Sequence, residues 1–236
     1  MAVEVDIKAL LEAGVHFGHK TSRWHPKMAT YIHSKRQESH IIDLVKTVNG
    51  LEKALVAISD TVASGRQVLI VGTKRQAKDI VKETAEKTGQ AYVTERWMGG
   101  MLTNVATVAG RIKELKGLEK RMDNGELANR YSKLEVQRFQ EQIDDLNKKY
   151  SGIKDLNGKP GIVFVTDVIE DANAVREAKK LGVPVAAIVD TNADPTDIDY
   201  VIPANDDAIK GLKLILDYVA AAIDEGKSAK DKKEGN

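Results

Sequence analysis

The 236-residue chain contains no cysteine. That absence removes a disulfide framework, a thiolate cage for a metal and a thiol nucleophile together, and it agrees with a reducing compartment. Long apolar runs are missing too: stretches such as VPVAAIVD fall far short of the roughly 20 residues that a membrane-spanning helix needs. The opening MAVEVDIKALLEAG is an acidic amphipathic start without the basic region of a signal peptide. A cytoplasmic location without a membrane partner is therefore expected. What is present is 42% hydrophobic and 30% charged residues, which suits one well-cored domain with room for an excursion, or two small domains, and not a disordered chain.

A net charge of +1 conceals an uneven distribution. Residues 1–121 hold 20 Lys and Arg against 13 Asp and Glu, and residues 122–236 hold 16 against 22, so the halves carry +7 and −6. All five histidines fall between His16 and His40, in a segment that also holds Lys20, Arg23, Lys27, Lys35 and Arg36. A polyanion responds to local potential rather than to whole-chain charge, so this split points to an anionic partner on one face. The alternative is an ordinary charged surface with chance clustering.

Periodicity predicts a helix from about Asp6, capped near Gly14, then irregular chain to about His40 with short strands in TYIHS and SHIID, then a helix from Asp43 to Gly65. From QVLIVG onward, continuous apolar runs alternate with amphipathic stretches: QVLIVG, KRQAKDIVKETAEKTG, QAYVT, GIVFVTD, DANAVREAKKLG, VPVAAIVD and DYVIP, closed by a helix from about Asp206 to Glu225. Such alternation implies an α/β fold, a parallel sheet with helices on both faces, formed by residues 1–104 and 150–225. Residues 105–149 interrupt it. There Ile112, Leu115, Leu118 and Met122, and again Phe139, Ile143 and Leu146, make one narrow apolar stripe per helix, as in a protruding antiparallel helical hairpin of short coiled-coil type. Residues 226–236, without an apolar anchor, are expected to form a flexible tail.

An enzyme of this architecture binds its ligand at the carboxyl ends of the strands, commonly over a glycine-rich loop. Here the first such turn reads GTKRQ, which matches neither the dinucleotide nor the Walker pattern. Lys74 and Arg75 at a helix start suit a single phosphate. Asp167, Asp190, Asp194, Asp206 and Asp207 could crowd one rim and, with His16 or His19, hold a divalent metal, but helix capping and turn chemistry account for the same aspartates. No metal site and no catalytic residue is assigned. In ERWMGGMLTN, Arg96 suits a bidentate phosphate contact, Gly99 and Gly100 a close backbone approach, and Thr103 and Asn104 ribose hydroxyls. Trp97 offers a stacking surface or is buried where the helical insertion meets the body. The same reasoning places Lys20, Arg23 and Lys27 on phosphates, with Trp24 stacking or packing.

Seven ordered blocks, LLEAGVHFGHKTSRWHPKM, HIIDLVKT, VLIVGTKRQA, ERWMGGMLTN, PGIVFVTD, LGVPVAAIVDTNADP and VIPANDDAI, resemble the bacterial S-two family of small-subunit ribosomal proteins from about Asp6 to Glu225. His25 stands where that family has asparagine, and YIHSKRQES departs from a stretch usually holding phenylalanine and glycine. The resemblance implies a flavodoxin-like or Rossmann-like body with a helical hairpin, no catalytic activity and no cofactor. It implies as partners the small-subunit (16S) ribosomal RNA and neighbouring ribosomal proteins, including S-one. The expected RNA-binding set is Lys20, Arg23, Trp24, Lys27, Lys35, Arg36, Lys74, Arg75, Arg96, Trp97, Gly99, Gly100, Thr103 and Asn104. The competing reading is a nucleotide-dependent enzyme on the same body.

Overall fold

A computed structural model describes residues 4–234. Its centre is a five-stranded, wholly parallel sheet built from β4 (Val68–Val71), β5 (Ala91–Val93), β6 (Ile162–Val165), β7 (Val185–Val189) and β8 (Tyr200–Pro203), in the order β5-β4-β6-β7-β8. Both faces are buried, and the side-chain period of two divides the strands between two cores. Ile70, Phe164 and Ile188 enter one core with the helices α1 (Ile7–Glu12), α2 (Leu44–Ala63), α3 (Lys78–Thr88) and α8 (Ile209–Glu234). Val71, Val165 and Ala187 enter the other with α4 (Val105–Asp123), α6 (Lys133–Tyr150) and α7 (Ala172–Lys180). The crossovers from β4 to β5, β5 to β6 and β6 to β7 each carry helix, as is usual between parallel strands. This is the expected α/β architecture, with the strand order of flavodoxin-like sheets.

The chain before α2 is more ordered than its sequence suggests. Segments β1 (Phe17–Lys20), β2 (Ile32–Arg36) and β3 (Ser39–Ile42) form a separate antiparallel sheet in the order β1-β3-β2. Two of these strands fall where TYIHS and SHIID predict them; β1, interrupted by a bulge, lacks the alternation that would reveal it. Between β1 and β2 a 3-10 helix over Pro26–Tyr31 starts at His25, whose Nδ1 accepts the Lys27 N–H at 3.3 Å. A side chain that caps this turn explains how histidine can stand at a position where asparagine is usual.

The interruption at 105–149 consists of α4, a short helix α5 (Glu126–Arg130) and α6, the last opened by a Ser132–Glu135 capping box. Helices α4 and α6 pack on one another, with Gln142 donating to Glu114 and Asn147 to Glu119. Their inner stripes, Leu115, Leu118, Ile143 and Leu146, run into the second core beside Trp97, Met101 and Leu102. Where a flexible tail is expected from residue 226, α8 continues to Glu234: Ile223 and Gly226 remain buried against α2 and no helix breaker follows. Residues 235–236 of that expected tail lie outside the described residues.

Candidate nucleic-acid interface

The loop from β5 to α4 is organised by a residue far away in sequence. One carboxylate, Glu177 on α7, accepts hydrogen bonds from the Trp97 indole N–H (3.0 Å), the backbone N–H groups of Gly100 (2.7 Å), Leu102 (3.0 Å) and Thr103 (3.1 Å), and the Thr103 hydroxyl (3.0 Å). Wrapping backbone amides around one anion needs a tight turn, and Gly100 supplies it with φ +91°. Burial alone would raise the Glu177 pKa, but the donors from Trp97, Gly100, Thr103 and Leu102 outweigh it and hold the carboxyl below its ordinary value.

Four of the expected RNA contacts already have partners or packing within the protein. Trp97 is only 6% exposed and packs, its polar edge already used. Gly100 forms the turn, Thr103 gives both its donors to Glu177, and Asn104 caps α4 by accepting the Thr107 N–H. Arg96 and Gly99 are exposed, and among the described residues no ion pair or side-chain hydrogen bond engages Arg96.

At the carboxyl ends of β4 and β6, the switch point where such sheets take ligands, this chain fills the space itself. Lys74 Nζ lies 3.2 Å from Asp167, 2.7 Å from Asp206 and 2.6 Å from Asp207. Burial opposes its charge, yet the bonds to Asp206 and Asp207 keep its pKa above the usual lysine value. Burial, reinforced by Asp167, pushes Asp206 up to about 7. The Thr73 N–H and hydroxyl, where a phosphate loop would present free donors, both bind Asp171 (3.2 and 2.8 Å). Burial raises Asp171 to about 6. Lys74, expected as a phosphate ligand, serves within the chain as the internal counter-ion of an aspartate cluster. His19 joins the rim with Nδ1 at 3.1 Å from Asp190, and this contact raises its pKa. Among the described residues His19, Asp206 and Asp207 are the ones that could hold a divalent ion, their ligand atoms lying within 4.8 Å of one another; His16 is not among them.

The remaining candidates gather elsewhere. Lys20, Arg23, Lys35 and Arg36 are exposed on or beside the three-stranded sheet, and Arg75 and Arg96 follow the neighbouring strands β4 and β5 at one edge of the parallel sheet. Among the described residues none of these six has an ion pair or side-chain hydrogen bond. Lys27, also expected on a phosphate, differs: Asp194 (2.9 Å) and the Thr196 hydroxyl (2.6 Å) hold it. Trp24 is 37% exposed and leans over buried His40, with ring centroids 5.2 Å apart. The β2–β3 turn places Gln37 and Glu38 at positive φ, a costly conformation for residues with a Cβ. Glu177 and Asp171, the two carboxylates that lock these loops, carry no local sequence signal, since each acts only on residues distant in the chain.

Residues 10–226 match the sequence model of the family described as Ribosomal protein S2. The protein named small ribosomal subunit protein uS2 of Chloroflexus aggregans is 50% identical over 222 residues, spanning 94% of this chain and 93% of its own length. Its namesake from Rhodopseudomonas palustris strain TIE-1 is 50% identical over 223 residues (94% and 67%), and that of Roseiflexus sp. 48% over 227 residues (96% and 86%).

Proposed function

The chain belongs to the ribosomal protein S2 family of the small ribosomal subunit, and from that premise we propose that it is a non-catalytic structural constituent that binds small-subunit ribosomal RNA through the basic surface of its front half. The supporting observation is the sorting of cations. Among the described residues Lys20, Arg23, Lys35, Arg36, Arg75 and Arg96 are exposed without a protein partner, whereas Lys27 and Lys74 are neutralised by aspartates. An exposed cation of the first kind gains a partner when a phosphate arrives; one of the second kind would first have to break an ion pair. Neighbouring proteins of the subunit, S-one among them, are the proposed protein partners, and the ribosome in the cytoplasm is the proposed location. The enzyme reading is disfavoured by the switch point, where Asp171 takes the Thr73 donors and Asp167, Asp206 and Asp207 take Lys74, the groups a nucleotide phosphate would use.

The test is the salt dependence of binding to small-subunit RNA. If these six cations each neutralise one phosphate, log affinity falls against log salt with a slope of about 4 on single strands to about 5.5 on duplex. A flat response would remove the RNA reading.

A further inference from the structure

The register of the three-stranded sheet defines a solvent face. Phe17 and Ser34 both stand opposite Ile41, and Lys20 and Arg36 both stand opposite Ser39. Directly opposed residues share a face, and Ser39 and Ile41, two apart on β3, point the same way. Strict alternation would send Phe17 and Lys20, three residues apart, to opposite faces; the bulge in β1 absorbs the extra residue and brings them together. Gly18 makes that bulge possible, because a Cβ there would meet Thr191 Cγ2 at 2.5 Å and Oγ1 at 2.8 Å. The same hydroxyl accepts the His19 N–H at 2.9 Å and fixes the turn of the chain. His40 and Ile42 lie on the opposite, buried face.

Beside this face opens a cavity of about 620 Å³, bounded by Phe17, Lys20, Arg23, Ser39 and Asp207 among others, a size that suits one small ligand. Its wall is the Phe17 ring, 51% exposed and backed by His16 at a centroid distance of 4.0 Å. Its rim carries Lys20 and Arg23, neither with a protein partner among the described residues. Asp207 adds an acceptor: its Oδ1 is held by Lys74, while its Oδ2 lies 3.6 Å from His19 Nε2, too far for a good hydrogen bond.

A flat aromatic wall, two unpaired cations and a carboxylate acceptor select a ligand that is anionic at one end, planar in the middle and a hydrogen-bond donor at its edge. Inorganic phosphate has no use for the ring and is repelled by Asp207, and a metal ion alone would leave the ring, Lys20 and Arg23 without a role. A base inside a duplex is stacked on its neighbours and cannot reach the ring. Resting on the RNA-binding reading above, we propose that this cavity receives one unpaired nucleotide of RNA whose base carries an exocyclic amino group, a cytosine, an adenine or a guanine. The base stacks on Phe17, the phosphate meets Lys20 and Arg23, and the exocyclic amino group donates to Asp207. Uracil, which presents a carbonyl at that edge, sets acceptor against acceptor.

The experiment measures anisotropy of labelled oligocytidine, oligoadenine and oligouridine strands, and of a duplex of equal length, with the full chain. The cytosine and adenine strands should bind about tenfold or more tighter than the uridine strand and the duplex. Phe17→Ala should lose about tenfold or more on the favoured strands, the scale of one base–aromatic stack, Phe17→Trp should retain binding, and Asp207→Ala should erase the preference over uridine. A Phe17→Ala protein with unchanged melting and wild-type affinity, or equal affinity for strand and duplex, would overturn the proposal. If Phe17→Ala folds poorly, Phe17→Leu removes the stacking face while keeping apolar bulk and should show the same loss on the favoured strands, with wild-type affinity again overturning the proposal. These outcomes are separable from failure of the RNA reading, which would show as salt-independent binding of the unaltered chain to small-subunit RNA.

Discussion

At the scale of single residues, Arg96 and Glu177 stand at two ends of one device. Glu177 fixes the loop, and the loop presents Arg96 to solvent. Glu177→Gln keeps one acceptor oxygen and removes the charge, so the loss of charge-assisted hydrogen bonds should lower stability by about 1 to 2 kcal/mol in denaturant titrations. The pH dependence has a definite sign. The folded-state pKa of Glu177 is depressed, so its contribution is complete above the unfolded value near 4.3 and is lost as pH falls through the lower folded value. The Gln variant should show a smaller fall in stability on acidification than the unaltered protein; an identical acid limb would remove Glu177 from this role. Arg96→Ala should do the reverse. Its melting temperature should scarcely move, since exposed positions without partners usually cost under about 0.5 kcal/mol, while affinity for small-subunit RNA should drop by roughly 1.5 to 3 kcal/mol. A large stability loss with normal affinity would withdraw Arg96 from the interface.

At the scale of elements, the helical interruption divides into a base and a tip. Leu115 is fully buried and belongs to the same core as Val71 and Val165, so the base of the α4–α6 pair is part of the body's packing. Leu127 on α5 is also fully buried, yet it stands outside both sheet cores and packs within the tip. Leu115→Ala should therefore cost about 2 to 5 kcal/mol of global stability. Leu127→Ala should instead speed amide exchange locally in residues 120–135 and leave the exchange of the strands unchanged. Equal acceleration throughout would show that the tip and body unfold as one unit. The narrow stripes in the sequence identify two helices that face each other. They cannot show that the stripe continues beneath the sheet, because Trp97, Met101 and Leu102, which bridge the two, lie before the helices begin.

At the scale of the whole molecule, a chain with almost no net charge still spreads its charges unevenly. Acidic groups at the carboxyl edge of β6, β7 and β8 are balanced internally by Lys74 and His19, and six cations without an ion pair among the described residues, Lys20, Arg23, Lys35, Arg36, Arg75 and Arg96, lie on or beside the small sheet and after β4 and β5. The ligand crevice of the fold is consequently closed by the protein's own ion pairs. Isothermal calorimetry with NAD, FMN or ATP should give no saturable heat, and tight one-to-one binding of any of them would mean that the switch point opens to nucleotides.

The sequence by itself determined the alternation of strands and helices, the parallel sheet, the helical interruption and the basic front half. Each is written in local periodicity or local charge, where neighbours in the chain are neighbours in space. Tertiary structure alone decided which of the candidate residues are available. GTKRQ and ERWMGGMLTN both read as anion-binding loops, and both do bind anions, but the anions are Asp171, Asp167, Asp206, Asp207 and Glu177, brought in from distant parts of the chain, Asp206 from 132 residues away. Likewise the bulge that brings Phe17 and Lys20 to one face is packed at Gly18 against Thr191, in the turn after β7 and far away in sequence. A donor looks the same in a sequence whether its acceptor is a phosphate or a distant carboxylate, and only the folded chain shows which acceptor is already in place.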